Sequence, residues 1–256
     1  MIGYILISYL QILFLPGLIF SKLSKIKDLF FIIISSILFN YIVIIFLSHF
    51  KIYNKENFLL FIYFELFLIS ILFLFEKKKF IIFNFRYSKL DFFLLFIIAF
   101  FSYYIFKVFN PFLWSIFTEG DVLLSWNEWS YNLLGSTYYP GDIKTNSFDS
   151  MFYENQSRSY YSQLIPALWS VFYLLGNNSD LMIFPKILSF LLSLLIFIFL
   201  IGSYLKTKNL LYILIFLSIF YLYFKEHAHF IYSGLVDSPV AILVFISFLF
   251  IFKKPE

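Results

Sequence analysis

The sequence predicts an all-α membrane protein, a polytopic helical bundle of about seven spans with interfacial and re-entrant helices in one long exterior loop. Three observations carry that prediction. Hydrophobic residues make up 62% of the chain and charged residues only 13%, more apolar surface than one soluble core can hide. Uncharged runs reach the roughly 20 residues that a helix needs to cross about 30 Å of hydrocarbon. Basic residues gather in the short connectors beside those runs, where positive charge sets the orientation of spans.

Taken in order, apolar runs place spans at roughly residues 2–20, 29–48, 57–75 and 91–109, and after a long polar excursion at 183–204, 209–224 and 238–252. The first run has no basic stretch before it and no small-residue cleavage site after it, so it is a retained span rather than a cleaved signal peptide. Leu164 to Gly176 is apolar as well, but a helix of that length rises only about 20 Å. It is expected to dip in rather than cross. Charge agrees: Lys22, Lys25 and Lys27, then Lys77, Lys78, Lys79, Arg86 and Lys89, then Lys206 and Lys208, then Lys253 and Lys254 fall on one side only if that segment does not span. The expected topology has seven spans and a non-cytoplasmic N-terminus. Three regions follow: a four-span bundle over 1–109, an exterior loop with juxtamembrane helices over 110–180, and a three-span segment over 181–256.

Composition also excludes functions. With no cysteine, disulfides and thiolate metal sites are ruled out. The net charge of +4 comes from lysines placed beside spans, so no nucleic-acid partner is expected. The 40 Phe and 20 Tyr, with abundant Ile, Lys and Asn, bear the stamp of AT-rich coding sequence. The expected source is bacterial and the expected location is the inner (cell) membrane. Aromatic excess by itself is no sign of a binding box.

The exterior loop inverts the charge balance. Glu119, Asp121, Glu128, Asp142, Asp149 and Glu154 face only Lys144 and Arg158 over residues 110–163. Such length is far beyond ordinary connectors and points to a functional loop. Within it, "TEGDVLLSWNEWS" (118–130) sets Val122, Trp126, Trp129 and Leu133 on one apolar stripe at helical spacing. That pattern suits a helix lying in the headgroup layer. Asp121 falls at its N-cap, a role worth about 1 kcal/mol; alternatively its carboxylate, beside Glu119, serves as a general base or cation ligand.

Other polar positions have two readings each. "YYSQLIPALWS" (160–170) breaks at Pro166, which suits a helix start just beneath the surface or a loop returning to the bundle. "HAHFIYSGLVDSPVAILVF" (227–245) puts His227, His229 and Asp237 outside, with Asp237 or Ser238 capping the last span. Two histidines without a third ligand at known spacing read as a solvated loop rather than a metal site. Lys186, just inside the fifth span, can snorkel outward. Glu65, near the middle of the third, cannot; full exposure there costs roughly 2.5–3.5 kcal/mol. It is expected to face other helices, protonated or hydrogen-bonded, in a structural or a functional role.

In order and spacing, "EGDVLLSWNEWS", "YYSQLIPALWS" and "YSGLVDSPVA" together resemble the GT-C superfamily of membrane glycosyltransferases, over roughly residues 115–252. Members carry an acidic residue or pair in the first large exterior loop, then interfacial helices, a Tyr/Pro-rich approach to the next helix, and a Gly-x-x-Asp-x-Pro segment opening a later span. Two departures stand out. Ser162 replaces a frequent proline, and the chain is shorter than usual, as a fragment or split gene would be. The resemblance implies a lipid-linked sugar donor carried on a polyprenyl phosphate. Asp121 would deprotonate the acceptor hydroxyl, worth about a hundred- to ten-thousand-fold, with Glu119 assisting. Lys186 and Arg158 first, then Lys225, His227 and His229, would neutralise the departing phosphate, and Trp126, Trp129 and Asp237 would line the donor site. Mg²⁺ or Mn²⁺ would be held by Glu119 and Asp121 if a metal is used. The competing expectations are a transporter or lipid flippase with Glu65 and Lys186 as pathway charges, and an inactive fragment or membrane subunit.

Overall fold

The structure, a computed structural model, describes residues 2–26, 28–74, 164–176, 183–226 and 240–245, with positions 96, 97, 99–101, 103, 104, 107, 130, 133, 134 and 247 besides. Among these, every regular element is an α-helix and no strand occurs. The helices are α1 (Ile2–Leu13), α2 (Leu15–Ser24), α3 (Leu29–His49), α4 (Lys55–Leu74), α5 (Leu164–Gly176), α6 (Ile183–Thr207) and α7 (Leu211–Glu226).

Four helical stretches are long and apolar enough to cross a membrane: Ile2–Ser24, Leu29–His49, Lys55–Leu74 and Ile183–Leu205. They coincide with the first, second, third and fifth expected spans, and the chain is a membrane protein on that ground. The sixth expected span, 209–224, overlaps α7. α7 has 16 described residues, of which Leu211–Tyr221 form a short apolar helix. The fourth and seventh expected spans are represented by helical positions between 96 and 107 and by residues 240–245; their remaining residues lie outside the described set.

The first span is not one straight helix, and proline is the reason. Pro16 has no N–H to give, and its ring crowds the carbonyl four residues back. Phe14 leaves helical geometry (φ −135°, ψ −47°) between α1 and α2. A backbone carbonyl loosened in hydrocarbon must find a donor within the protein. The Gln11 carbonyl, one turn before the break, accepts from Ser36 Oγ at 3.1 Å and from Asn40 Nδ2 at 2.9 Å. The kink is thereby tied to α3, and the register continues where Gly17 abuts Ile32. Partners descend along α3 as the chain climbs α1 and α2, so the two run antiparallel.

Local chemistry sets the ends of α3. Asp28 caps its start, accepting the Phe30 N–H at 2.9 Å. At its end, the N–H of Ile52 bonds Leu47 O at 2.9 Å and that of Lys51 bonds Ser48 O at 3.0 Å. Lys51 takes φ 57°, which completes a Schellman motif with lysine in the left-handed position. Asn54 then caps α4 through the Asn57 N–H at 2.9 Å. α4 packs on α2, where the Lys22 ammonium sits 4.0 Å from the Phe73 ring centroid. Leu60, Phe64 and Phe67 on its other side are exposed, as suits a helix at the edge of a bundle in lipid.

α5 has the opposite character. Every residue from Ile165 to Leu175 is buried, against α1, α3 and α6. Pro166 stands in its first turn, where its missing N–H costs nothing. No face of α5 is open: its neighbours enclose it from Ile165 to Leu175. Trp169 of α5 meets Ser189 of α6; one turn later Phe172 packs edge-on at 4.8 Å against Tyr9, whose hydroxyl donates to Phe184 O at 2.9 Å. Partners on α6 step back as α5 advances, so the two form an antiparallel pair. Further along, Phe199 of α6 meets Phe30 at the start of α3, 5.4 Å between centroids. Phe101 joins α6 and α7, contacting Phe197, Phe216 and Phe220 at 4.9, 5.2 and 4.8 Å.

Candidate functional site

Two buried polar seams cross the bundle. The first lies between α5 and α6. Lys186, Ser189 and Ser193 recur at helical spacing on α6 and are 1%, 2% and 2% exposed, a polar stripe in an otherwise apolar helix. Trp169 Nε1 donates to Ser189 Oγ at 3.1 Å, and Ser193 Oγ to Ser189 O at 2.9 Å. On the other side of α5, Ser170 Oγ gives its proton to Ala167 O at 2.6 Å. Tyr53 OH lies 2.9 Å from that same Ser170 oxygen, so Tyr53 is the donor in this contact, a hydroxyl having one proton to give. These bonds fix α5 against both the α3–α4 connection and α6.

The second seam lies inside the N-terminal helices. Asn40 Nδ2 spends both protons on the carbonyls of Gln11 and Ser36, at 2.9 and 2.8 Å. Its Oδ1 is then left to accept from Gln11 Nε2 at 2.9 Å. That pattern assigns both amide orientations. Gln11 Oε1 is left buried with no hydrogen-bond partner among the described residues. Beside it stands Glu65, 2% exposed, in the middle of α4. The Gln11 amide is near enough to act on the charge of the Glu65 carboxyl, yet neither carboxyl oxygen meets hydrogen-bond geometry with any described residue.

Of the residues expected to form a site, Lys186 and Glu65 lie within the described structure. Glu65 faces other helices, as a carboxyl at that depth must. Lys186 is enclosed rather than reaching a surface, and the expectation of an outward-reaching ammonium is corrected. Asp121, Glu119, Trp126, Trp129, Arg158, Lys225, His227, His229 and Asp237 lie outside the residues whose side chains are described. The segment holding Asp121 is represented by its far end, where Ser130, Leu133 and Leu134 are buried and Leu133 O accepts from Ser48 Oγ at 3.4 Å. No group of three or more metal-ligating side chains occurs among the described residues.

Sequence reading for charge alone missed the seams. Gln11, Ser36 and Asn40 are uncharged, and the signal for them is a polar pair at i, i+4 within a span, Ser36 and Asn40, on one face of α3. The stripe Lys186, Ser189, Ser193 is legible in the same way. No protein-family model matches the chain, and neither a curated protein nor a solved structure matches it.

Proposed function

We propose that the chain is a GT-C-type membrane glycosyltransferase. It moves a sugar from a polyprenyl-phosphate-linked donor to an acceptor hydroxyl on the exterior side of the bacterial inner membrane. The observation that carries the reading is the ordered set of motifs: the acids Glu119 and Asp121 ahead of Trp126 and Trp129, the Pro166 helix start, and Gly234-x-x-Asp237-x-Pro239 before the last span. The proposed topology lends support. An α5 that begins at Leu164 and has no exposed face suits a re-entrant helix beneath the exterior loop, and its partner α6 carries Lys186 enclosed at the near end.

In this reading Asp121 takes the proton from the acceptor hydroxyl as that oxygen bonds to the anomeric carbon. The bond from that carbon to the phosphate oxygen breaks, inverting the centre, and the electron pair leaves with the polyprenyl phosphate. An anionic leaving group needs a cation more than an acid. Lys186 and Arg158 fill that role, with His227 and His229 further candidates. Hard oxygen ligands from Glu119 and Asp121 suit Mg²⁺ or Mn²⁺, which would neutralise phosphate charge there. The test is Asp121→Asn, assayed with a polyprenyl-linked sugar: transfer is lost while donor binding stays. Unchanged transfer removes Asp121 from its role.

A second reading, a transporter or lipid flippase, is favoured by one observation, the carboxyl of Glu65 held inside the span. Movement of the lipid-linked sugar across a proteoliposome membrane without any transfer product would select it.

A further inference from the structure

Every non-glycine residue with positive φ among the described residues is a lysine: Lys25 at 60°, Lys51 at 57° and Lys208 at 54°. Each stands just past a helix long and apolar enough to cross a membrane, Ile2–Ser24, Leu29–His49 and Ile183–Leu205. The fourth such helix, Lys55–Leu74, ends at the edge of the described residues. We propose that these three lysines are phospholipid anchors, each closing a crossing helix by holding a headgroup phosphate at the membrane boundary. The proposal is independent of the transferase reading and uses none of the residues assigned there.

The left-handed position after a helix usually falls to glycine or asparagine, because a larger side chain there crowds the following carbonyl. Asparagine is at hand beside Lys208, yet Asn209 caps α7 by accepting the Leu211 N–H at 2.9 Å, and the lysine takes the strained place. Hydrogen bonds hold each lysine there. The Lys51 N–H bonds Ser48 O at 3.0 Å and the Lys208 N–H bonds Tyr204 O at 2.6 Å, while Ser21 Oγ reaches past Lys25 to Ile26 O at 2.6 Å. The same strain at three helix ends of one kind points to a use for the side chain.

The helix dipole does not supply that use. A cation in the last turn, on ordinary helical backbone, satisfies it, and α2 already has Lys22 there. What the left-handed lysines share is depth. Each begins where an apolar helix ends, with a flexible stem that lies along apolar surface while its ammonium reaches the headgroup layer. The phosphodiester of a phospholipid is an anion at that depth, and an ammonium donates charge-assisted hydrogen bonds to it. Lys25 and Lys51 are exposed, and Lys208 is partly so, its ammonium 5.5 Å from the Tyr204 ring centroid. Because α2 and α3 run antiparallel, Lys25 and Lys51 stand at opposite ends of the bundle, and headgroups of both leaflets are engaged.

The test measures thermal unfolding of the full chain in maltoside micelles, in nanodiscs of phosphatidylglycerol, and in nanodiscs of diglucosyl diacylglycerol, a bilayer without phosphate. In micelles and in the glucolipid, Lys25→Gly, Lys51→Gly and Lys208→Gly should each raise the unfolding temperature by about 1–4 °C, since strain is relieved and no phosphate contact is lost. In phosphatidylglycerol that gain should vanish or reverse. Lys25→Gln, Lys51→Gln and Lys208→Gln keep the strain and remove the charge, and should lower the temperature in phosphatidylglycerol alone. Native mass spectra after release from phosphatidylglycerol should show lipid bound to the wild type and less of it on the triple glycine variant. Equal shifts in all three media overturn the proposal, the lysines then serving only as helix ends. Inorganic phosphate in maltoside that reproduces the effect of phosphatidylglycerol also overturns it, in favour of a soluble anion.

Discussion

Gly17 of α2 lies so close to Ile32 of α3 that a Cβ at that position would overlap the Ile32 carbonyl. Association of helices in lipid gains little from the hydrophobic effect and depends on close packing, which small residues permit. Gly17→Ala must push the helices apart and is expected to cost about 1–3 kcal/mol. Gly202 in α6 has nothing within 4 Å of the same built atom, and Gly202→Ala should gain up to about 0.5–1 kcal/mol. Thermal unfolding in detergent should move in opposite directions for the two variants.

Asn40 holds the kink of the first span. Asn40→Leu leaves the Gln11 carbonyl with Ser36 as its remaining side-chain donor, and orphans Gln11 Nε2. A loss of about 1–3 kcal/mol is expected. Ser36→Ala should cost less alone but more than additively in combination, because both donors serve one carbonyl. A double-mutant cycle on unfolding midpoints measures this.

The bond from Trp169 to Ser189 pins α5 to α6. Trp169→Phe keeps a ring in the core and removes the donor, and about 0.5–1.5 kcal/mol should be lost. Its coupling to Ser189→Ala should be of that same order, since either change removes the one shared bond. Zero coupling in the cycle would mean that the pair contributes packing only.

Lysine is a poor residue for the left-handed end of α3. Lys51 takes φ 57°, a conformation that costs an ordinary residue roughly 1–2 kcal/mol. Lys51→Gly relieves that cost and gives back part of it in chain entropy. A net stabilisation of about 0.5–1 kcal/mol is expected, read as a raised unfolding temperature; a lowered one would show that the Lys51 side chain contributes more than its backbone strain removes.

Much of the architecture is legible in the amino acids because hydrocarbon imposes a strict rule: a crossing segment is apolar for about 20 residues or it does not cross. Spans at 2–20, 29–48, 57–75 and 183–204 could be drawn from that rule. Pro166 marked the start of α5 for a local reason as well, its missing N–H. Pro16 carried the same kind of local signal for the break at Phe14, and reading for hydropathy alone passes over it.

Apolarity by itself therefore determined that this chain is a helical membrane protein and where four of its helices run, because each helix satisfies its own backbone and answers to the lipid separately. Only tertiary structure decided that α5 is enclosed on every side, that Lys186 is covered, and that the mid-span carboxyl of Glu65 is buried against other helices. Those outcomes depend on which faces of separate helices turn toward each other. Helices that are apolar all round, such as α3 and α4, give hydropathy no face to choose; the choice falls to a few polar side chains and one glycine whose partners lie on other helices.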